Sequence, residues 1–360
     1  MSGRAKKYFP GCLCFSRPLL GNFLRMGCRA LDLFAGPGGL TLGLKAAGFN
    51  VVAAIEKDEL AADTYQLNHP EVLVRCADIR DIEVSDLLDE LGLRPKDIDL
   101  CAGCPPCQGF STMRTLNGAK AINDDRNGLI EEYLRFVRGI LPRALLFENV
   151  PGLMKDSRFK AAVQELEGLG YPAEEGARII NAADHGVPQN RRRLVLLCVR
   201  HGKVEFPPSL DRRPTVEDAI KQLPTAGRSG DPLHDLPEHR SERVQSLIKA
   251  IPPDGGGRLD LPDSFRLKCH DDFTGFKDVY GRMSWKRPAP TITGGCHNPS
   301  KGRFLHPTAN RAITLREAAL LQGFPLDYKF SLNRGKLAAA AMIGNAAPPP
   351  LVAAQAKAIS

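Results

Sequence analysis

One short run in this 360-residue chain carries the residue types that hold a nucleoside. Leu31-Asp32-Leu33-Phe34-Ala35-Gly36-Pro37-Gly38-Gly39 sets glycines between an apolar strand and a helical stretch. There the backbone can approach a ligand closely, and the helix N-terminus offers unpaired N–H groups. Gly-Pro-Gly-Gly fits the dinucleotide fingerprint G-x-G-x-x-G poorly. Glu56 closes the next apolar run, where a carboxylate can take two ribose hydroxyls, and Asp78 follows the third, where it can accept from an exocyclic adenine amine. Glycine turn, acid, acid is the order expected of a nucleoside lying across the carboxyl ends of parallel strands. Two surface acids after strands would give the same pattern.

The second reactive stretch is Gly103-Cys104-Pro105-Pro106-Cys107-Gln108-Gly109-Phe110-Ser111. Cys101, Cys104 and Cys107 stand at C-x2-C-x2-C, which invites a zinc or iron–sulfur reading. Three points favour no metal. The next cysteine is Cys198, Cys101 lies in an apolar strand where a thiol packs, and two prolines hinder the backbone from wrapping an ion. A nucleophile suits the loop better, because Pro105 and Pro106 fix φ and present Cys107 on a stiff support. A free thiol is only a few per cent ionised at neutral pH, so positioning and a cationic neighbour would matter.

These groups need a frame. From 29 to 199 short apolar runs alternate with helical stretches, the signature of a parallel α/β sheet. Strands are predicted at 29–34, 51–55, 72–75, 98–102 and 144–147, and near 177–180 and 194–199. Helices are predicted at 40–47, from after Glu56 to about 68, at 127–139 and at 159–169. Residues 206–262 hold many prolines and weak periodicity, and helical texture returns at 315–321 and 337–342.

Composition is that of a globular protein, 43% apolar and 25% charged. No apolar run approaches the length of a bilayer span, so no membrane location is expected. Ten cysteines without scaffold spacing favour a reducing cytoplasm. The net charge of +8 is unevenly spread. Residues 1–30 carry six basic and no acidic side chains, and 1–28 read as a basic leader with Met26 a candidate start. Residues 52–100 carry five basic and thirteen acidic, 190–213 seven and two, and 265–311 nine and three. The later basic stretches are expected to face a polyanion.

With these pieces in view, the chain resembles the C5-cytosine DNA methyltransferases of the bacterial type over most of its length. Phe34 to Gly39 resembles the family's S-adenosylmethionine loop and Pro105-Pro106-Cys107-Gln108 its nucleophile loop. Glu148-Asn149-Val150, Gln189-Asn190-Arg191-Arg192-Arg193, Arg287-Pro288-x-Pro290-Thr291-Ile292, Leu321-Gln322-Gly323-Phe324-Pro325 and Gly344-Asn345-Ala346 follow in the family's order. Cys104 stands where the family often has glycine and Ala347 where it often has valine, and neither carries a group the reaction needs.

The resemblance implies a Rossmann-like methyltransferase sheet at 29–205, a smaller loop-rich target-recognition domain at 206–285 and a C-terminal segment, 286–360, returning to the catalytic domain. It implies Cys107 as nucleophile on cytosine C6, Glu148 at N3, and Arg191 and Arg193 facing one site while Arg192 points away. Phe34, Ala35, Gly36, Gly38, Gly39 and Leu40 would cradle S-adenosylmethionine, Glu56 its ribose, Asp78 and Ile79 its adenine, and Pro106, Leu129 and Asn345 the rest of the pocket. Gln108, Ser111, Gln189 and Arg282 would contact DNA. Arg212, Arg213, Arg228, Arg240, Arg243, Lys268 and Lys277 offer further phosphate contacts. The polar stretch 110–126 is expected to close over an extruded base, and His234, His239 and His270 to be surface residues. Double-stranded DNA is the implied partner, with a cognate restriction endonuclease conceivable and a monomer expected. The alternatives are a tRNA-methylating relative with the same active site and a non-catalytic DNA-binding relative. Block 302–307 through 315–318 looks like the bacterial DNA enzymes, and an inactive relative should have lost Cys107, Glu148 or the glycine turn.

Overall fold

The computed structural model describes residues 27–106, 128–265 and 278–360. Seven strands form one sheet: β1 Arg29–Leu33, β2 Asn50–Glu56, β3 Leu73–Cys76, β4 Leu100–Gly103, β5 Ala144–Asn149, β6 Ala177–Asn181 and β7 Arg192–Val199. Their order is β3-β2-β1-β4-β5-β7-β6. The pairs from β3 to β5 are parallel, but β7 is antiparallel to both β5 and β6. The expected all-parallel sheet is therefore corrected at one edge. The connection from Ala182 to Arg191 is too short for a helical crossover, so the chain can only turn back on itself.

Every residue of β4 and β5 is buried, which is why β4 and the first four residues of β5 read as apolar runs rather than alternating ones. The helix Leu129–Ile140 shows seven apolar positions at helical spacing, all buried on one side of the sheet. On the other side, Gly39–Ala46 packs against Pro349–Lys357, so the end of the chain lies beside its first helix. Pattern reading missed this last helix. It begins in Pro348-Pro349-Pro350, and proline suits a first helical turn because its missing N–H would have no helical partner there. The span Gly335–Lys357 has the length and hydropathy of a bilayer span, contrary to expectation, but it is two helices broken at 346–348, with about 61% of its most apolar window buried.

A third apolar cluster joins Leu60 and Ala61 to residues from Val216 to Ala346, fastening the later half of the chain onto the helix Glu59–Asn68. The fit is tight at Gly344, where an added Cβ would overlap the Thr293 carbonyl carbon and the Gly294 nitrogen. Gly344→Ala should cost about 1–3 kcal/mol in urea unfolding by forcing the helix Gly335–Asn345 off this segment. Gly168→Ala, at a position with no atom within 4 Å of the added Cβ, should cost nothing. Equal effects would show that close approach at Gly344 is not what holds the segment.

Candidate active site

The carboxyl ends of the parallel strands, facing the segments 291–293 and 334–347, enclose a cavity of about 790 Å³. After β1 the backbone winds through positive φ at Phe34 (60°), Gly36 (56°) and Gly38 (97°). Ala35 N–H donates to Ile55 O at 3.0 Å, tying the loop to β2. Gly36 N–H donates to Glu56 Oε2 at 2.8 Å and Asp58 N–H to Oε1 at 2.7 Å, so one carboxylate holds two loops while lining the cavity. Burial raises the Glu56 pKa above its ordinary value. A Cβ on Gly36 would meet nothing within 4 Å, so the turn leaves its inner face open.

The outer face of the same turn is clamped. Tyr328 Oη donates to Pro37 O at 2.6 Å, and His69 Nε2 lies 3.3 Å from Gly38 O and 3.1 Å from Tyr328 Oη. Lys45 Nζ, which can only donate, sits 2.9 Å from His69 Nδ1, and this assigns the imidazole proton to Nε2. Gly38 must lack a side chain, since its Cβ would stand 2.6 Å from Tyr328 Oη and 2.8 Å from the His69 ring. At the rim, Arg334 Nη1 pairs with Asp58 Oδ2 at 2.8 Å and joins the two ends of the chain across the cavity.

The opposite wall comes from β4 and β5. Cys104, Pro105 and Pro106 leave β4 and line the cavity, and Asn149 Nδ2 donates to Pro105 O at 2.9 Å, locking the proline loop to β5. Glu148 is buried in the same wall. Arg193 Nε lies 2.9 Å from Glu148 Oε1, yet off the line of a hydrogen bond, so that oxygen is buried with its hydrogen-bonding capacity unused. Burial pushes the Cys104 thiol well above its usual range, keeping it neutral. Among the described residues no cluster of three metal-ligating side chains occurs.

The model of the C-5 cytosine-specific DNA methylase family matches residues 28–360. The chain belongs to that family. It is 35% identical to the Type II methylase M.HgiDII of Herpetosiphon aurantiacus, across 91% of this chain and 94% of that one. It is 33% identical to the Type II methyltransferase M1.HphI of Haemophilus parahaemolyticus, across 93% and 87%. Among solved structures, a prophage-encoded protein of Escherichia coli described as a DNA modification methyltransferase superposes with a TM-score of 0.64 at 26% identity, covering 92% of this chain and 97% of its own. A methyltransferase of Schizosaccharomyces pombe, Dnmt2, shares the fold, with a TM-score of 0.57 at 20% identity and coverage of 91% and 96%. The chain is thus a DNA cytosine-C5 methyltransferase with a Rossmann-like methyltransferase sheet.

In this methylase Phe34, Ala35, Gly36, Leu40, Glu56, Asp78, Ile79, Pro106, Leu129, Glu148, Arg191, Arg193 and Asn345 all line the one cavity. Gly38 and Gly39 do not. Gly39 instead packs under Ala347 O and Phe324. Cys107, Gln108, Ser111, the stretch 110–126, Lys268, Lys277, His270 and the leader lie outside the described residues. Asp78 already accepts from Arg80 Nη2 and Lys57 Nζ, both at 2.6 Å, and the Arg80 guanidinium holds its carboxyl well below the usual range.

Four expectations are corrected by burial. Gln189 is fully buried, donating to Leu321 O at 3.1 Å and Gln322 Oε1 at 2.6 Å and accepting from Ile292 N–H at 2.8 Å, so it joins protein segments and cannot reach DNA. Arg282 is buried too, its guanidinium spent on the carbonyls of Ile248, Ile251, His306 and Ala309 and on Asn310 Oδ1. His234 is not a surface residue, being held between Thr314 Oγ1 and Pro224 O. Arg191 and Arg193 do share the cavity while Arg192 is exposed, but Arg191 gives its two Nη groups to the carbonyls of Ile292, Gly344 and Ala346. Its role begins as a brace.

Sequence reading also passed over Asp32, which is fully buried beneath the glycine turn. Its Oδ2 accepts from Thr41 Oγ1 at 2.7 Å and Thr41 N–H at 3.2 Å, while Oδ1 has no partner. Burial pushes its pKa from 3.8 up to about 7. A raised folded pKa means the folded state keeps a proton that the unfolded chain has lost. The stabilisation is full below pH 3.8 and is lost as the pH rises through about 7. Asp32→Asn should remove this component, so wild type should lose more stability than the variant between the acid and the alkaline side of that value. Identical pH dependence of urea midpoints would refute an uncharged Asp32.

Proposed function

We propose that this enzyme transfers a methyl group from S-adenosylmethionine to C5 of a cytosine swung out of double-stranded DNA, through a covalent bond between Cys107 and C6. One observation carries the reading. A single cavity is lined on one wall by the open glycine turn and Glu56 and on the other by Glu148, Arg193 and the prolines that run directly into Cys107.

The residues present fit the cofactor. Glu56 offers a buried carboxylate for two ribose hydroxyls, Gly36 leaves room for close approach, and Phe34, Leu40 and Ile79 give apolar surface for a purine. When bound there, S-adenosylmethionine supplies an electrophilic methyl group. Cytosine C5 is too weak a nucleophile to take it unaided. Addition of the Cys107 thiolate to C6 makes C5 enamine-like, and after methylation a solvent water takes the C5 proton as the C6–sulfur bond breaks and the thiolate leaves. Glu148 donates a proton to N3 as the thiolate adds and recovers it on elimination, with the unused Oε1 capacity available for that contact. Arg193 beside it counters the charge that builds on the base. A duplex hides C6 from any protein thiol, so the base must leave the stack.

The basic surface is for duplex phosphates, and the acidic excess of 52–100 falls in the cofactor half of the chain. We place the enzyme in the cytoplasm as a monomer acting on a fixed sequence, with a restriction endonuclease of the same specificity as the partner implied by relatives named Type II methyltransferases.

Labelled S-adenosylmethionine should mark duplex DNA and not tRNA, and bisulfite mapping of a methylation-free host expressing the gene should show one recurring sequence. Cys107→Ala should lower transfer by at least about a thousandfold while leaving cofactor binding intact. Label confined to tRNA would transfer the substrate to RNA, and an active Cys107→Ala enzyme would reject the covalent route.

A further inference from the structure

Beside the reaction cavity a second pocket of about 520 Å³ opens on the C-terminal segment, and Thr293 lines both. Its other walls include His297, Asn298, Lys301 and Leu337. Asn298 Oδ1 accepts from Ser300 N–H at 3.0 Å and from its hydroxyl at 2.9 Å, fixing the turn Pro299–Lys301 that carries the lysine to the rim. His297 is held through its carbonyl by Arg240 Nη2 at 3.1 Å, while its ring Nδ1 is buried without a hydrogen-bond partner. A buried polar atom left unpaired calls for an explanation, and a ligand is one.

The surrounding charge is mainly basic. Lys336 and Arg240 lie close enough to His297 to resist its protonation, after burial itself, and burial likewise lowers the Lys336 pKa. The carboxylate at this cluster, Glu238, is already paired with Arg240 and accepts from Ala312 N–H at 3.2 Å. Next to these cations Leu337 stands 67% exposed on the helix Gly335–Asn345, a large apolar side chain at the rim of the pocket. A partly buried cationic cluster with an apolar edge matches a phosphodiester chain, which offers an anion and an apolar sugar face side by side.

We propose that this pocket takes a phosphate of the DNA strand bearing the target cytosine, with Lys301 and His297 on the phosphate and Leu337 against the adjoining deoxyribose. The proposal rests on the larger cavity receiving that cytosine, since the shared Thr293 puts the pocket next to it along one strand. It extends the DNA surface onto 293–301, outside the 206–285 region. Because a phosphate contact carries no sequence information, its effect should be uniform across sequences.

Lys301 is exposed, so Lys301→Ala should fold. Binding is measured over a salt series to one short duplex containing the bisulfite-mapped site and one lacking it, with cofactor affinity alongside. The plot of log affinity against log salt should flatten by about 0.9 for one lost phosphate contact. Both duplexes should weaken by the same factor, and cofactor affinity should not change. His297→Gln should weaken both duplexes as well. An unchanged slope, or weakening confined to the mapped site, overturns the proposal while an active wild type preserves the wider reading. A wild type that neither binds nor methylates any duplex overturns both.

Discussion

The guanidinium of Arg191 is buried, and three backbone carbonyls from two distant stretches, Ile292 on one side and Gly344 and Ala346 on the other, converge on it. A charge taken out of water at such depth is tolerated only where hydrogen bonds replace its hydration. Burial, with the Arg193 charge adding to it, lowers its pKa to about 9, still a cation at neutral pH. Gln189, two residues earlier, binds Leu321, Gln322 and Ile292 in the same manner. The entry to β7 is therefore the post to which the C-terminal segment, from Ile292 to Ala346, is tied. Those segments, 291–293 and 334–347, supply the side of the cavity that faces the strand ends.

Within the closed cavity the carboxylates are arranged by depth. Asp32, the deepest, keeps its proton up to about pH 7 because burial raises its pKa, and supports the glycine turn through Thr41. Glu56 bridges two loops with both oxygens and still faces the cavity. Glu148 faces it from the other wall with one arginine beside it and one oxygen unpaired. The clamp of Tyr328 and His69 on the back of the turn couples this arrangement to the later half of the chain. Arg316, which donates to Tyr328 O at 2.8 Å, also pairs with Asp231 in the loop-rich region.

Much of this was legible in the sequence, for stated reasons. The glycine turn, Glu56 and the strand alternation are local patterns, and local patterns survive into structure wherever packing agrees with them. Three kinds of feature were not legible. A strand reads alike whether it runs parallel or antiparallel, so β7 could be placed but not oriented. Burial of a polar residue leaves no periodic mark, so Gln189 and Arg282, standing among basic neighbours, looked like DNA contacts when both are internal braces. Asp32 sits inside a strand pattern that its carboxylate interrupts, and that interruption was the one available signal. The prolines at 348–350 conceal a helix because proline is read as a breaker, although it suits the first turn.

Hydrogen exchange of Arg191→Lys against wild type tests the central claim most directly. Lysine keeps the charge but lacks the planar fork that reaches three carbonyls at once. Amides of 286–294 and 335–347 should exchange faster in the variant, with cofactor binding weakened and β1 to β5 as protected as before. Protection unchanged in those two segments, or lost evenly over the whole sheet, would contradict a chain whose catalytic cavity is closed by this one buried guanidinium.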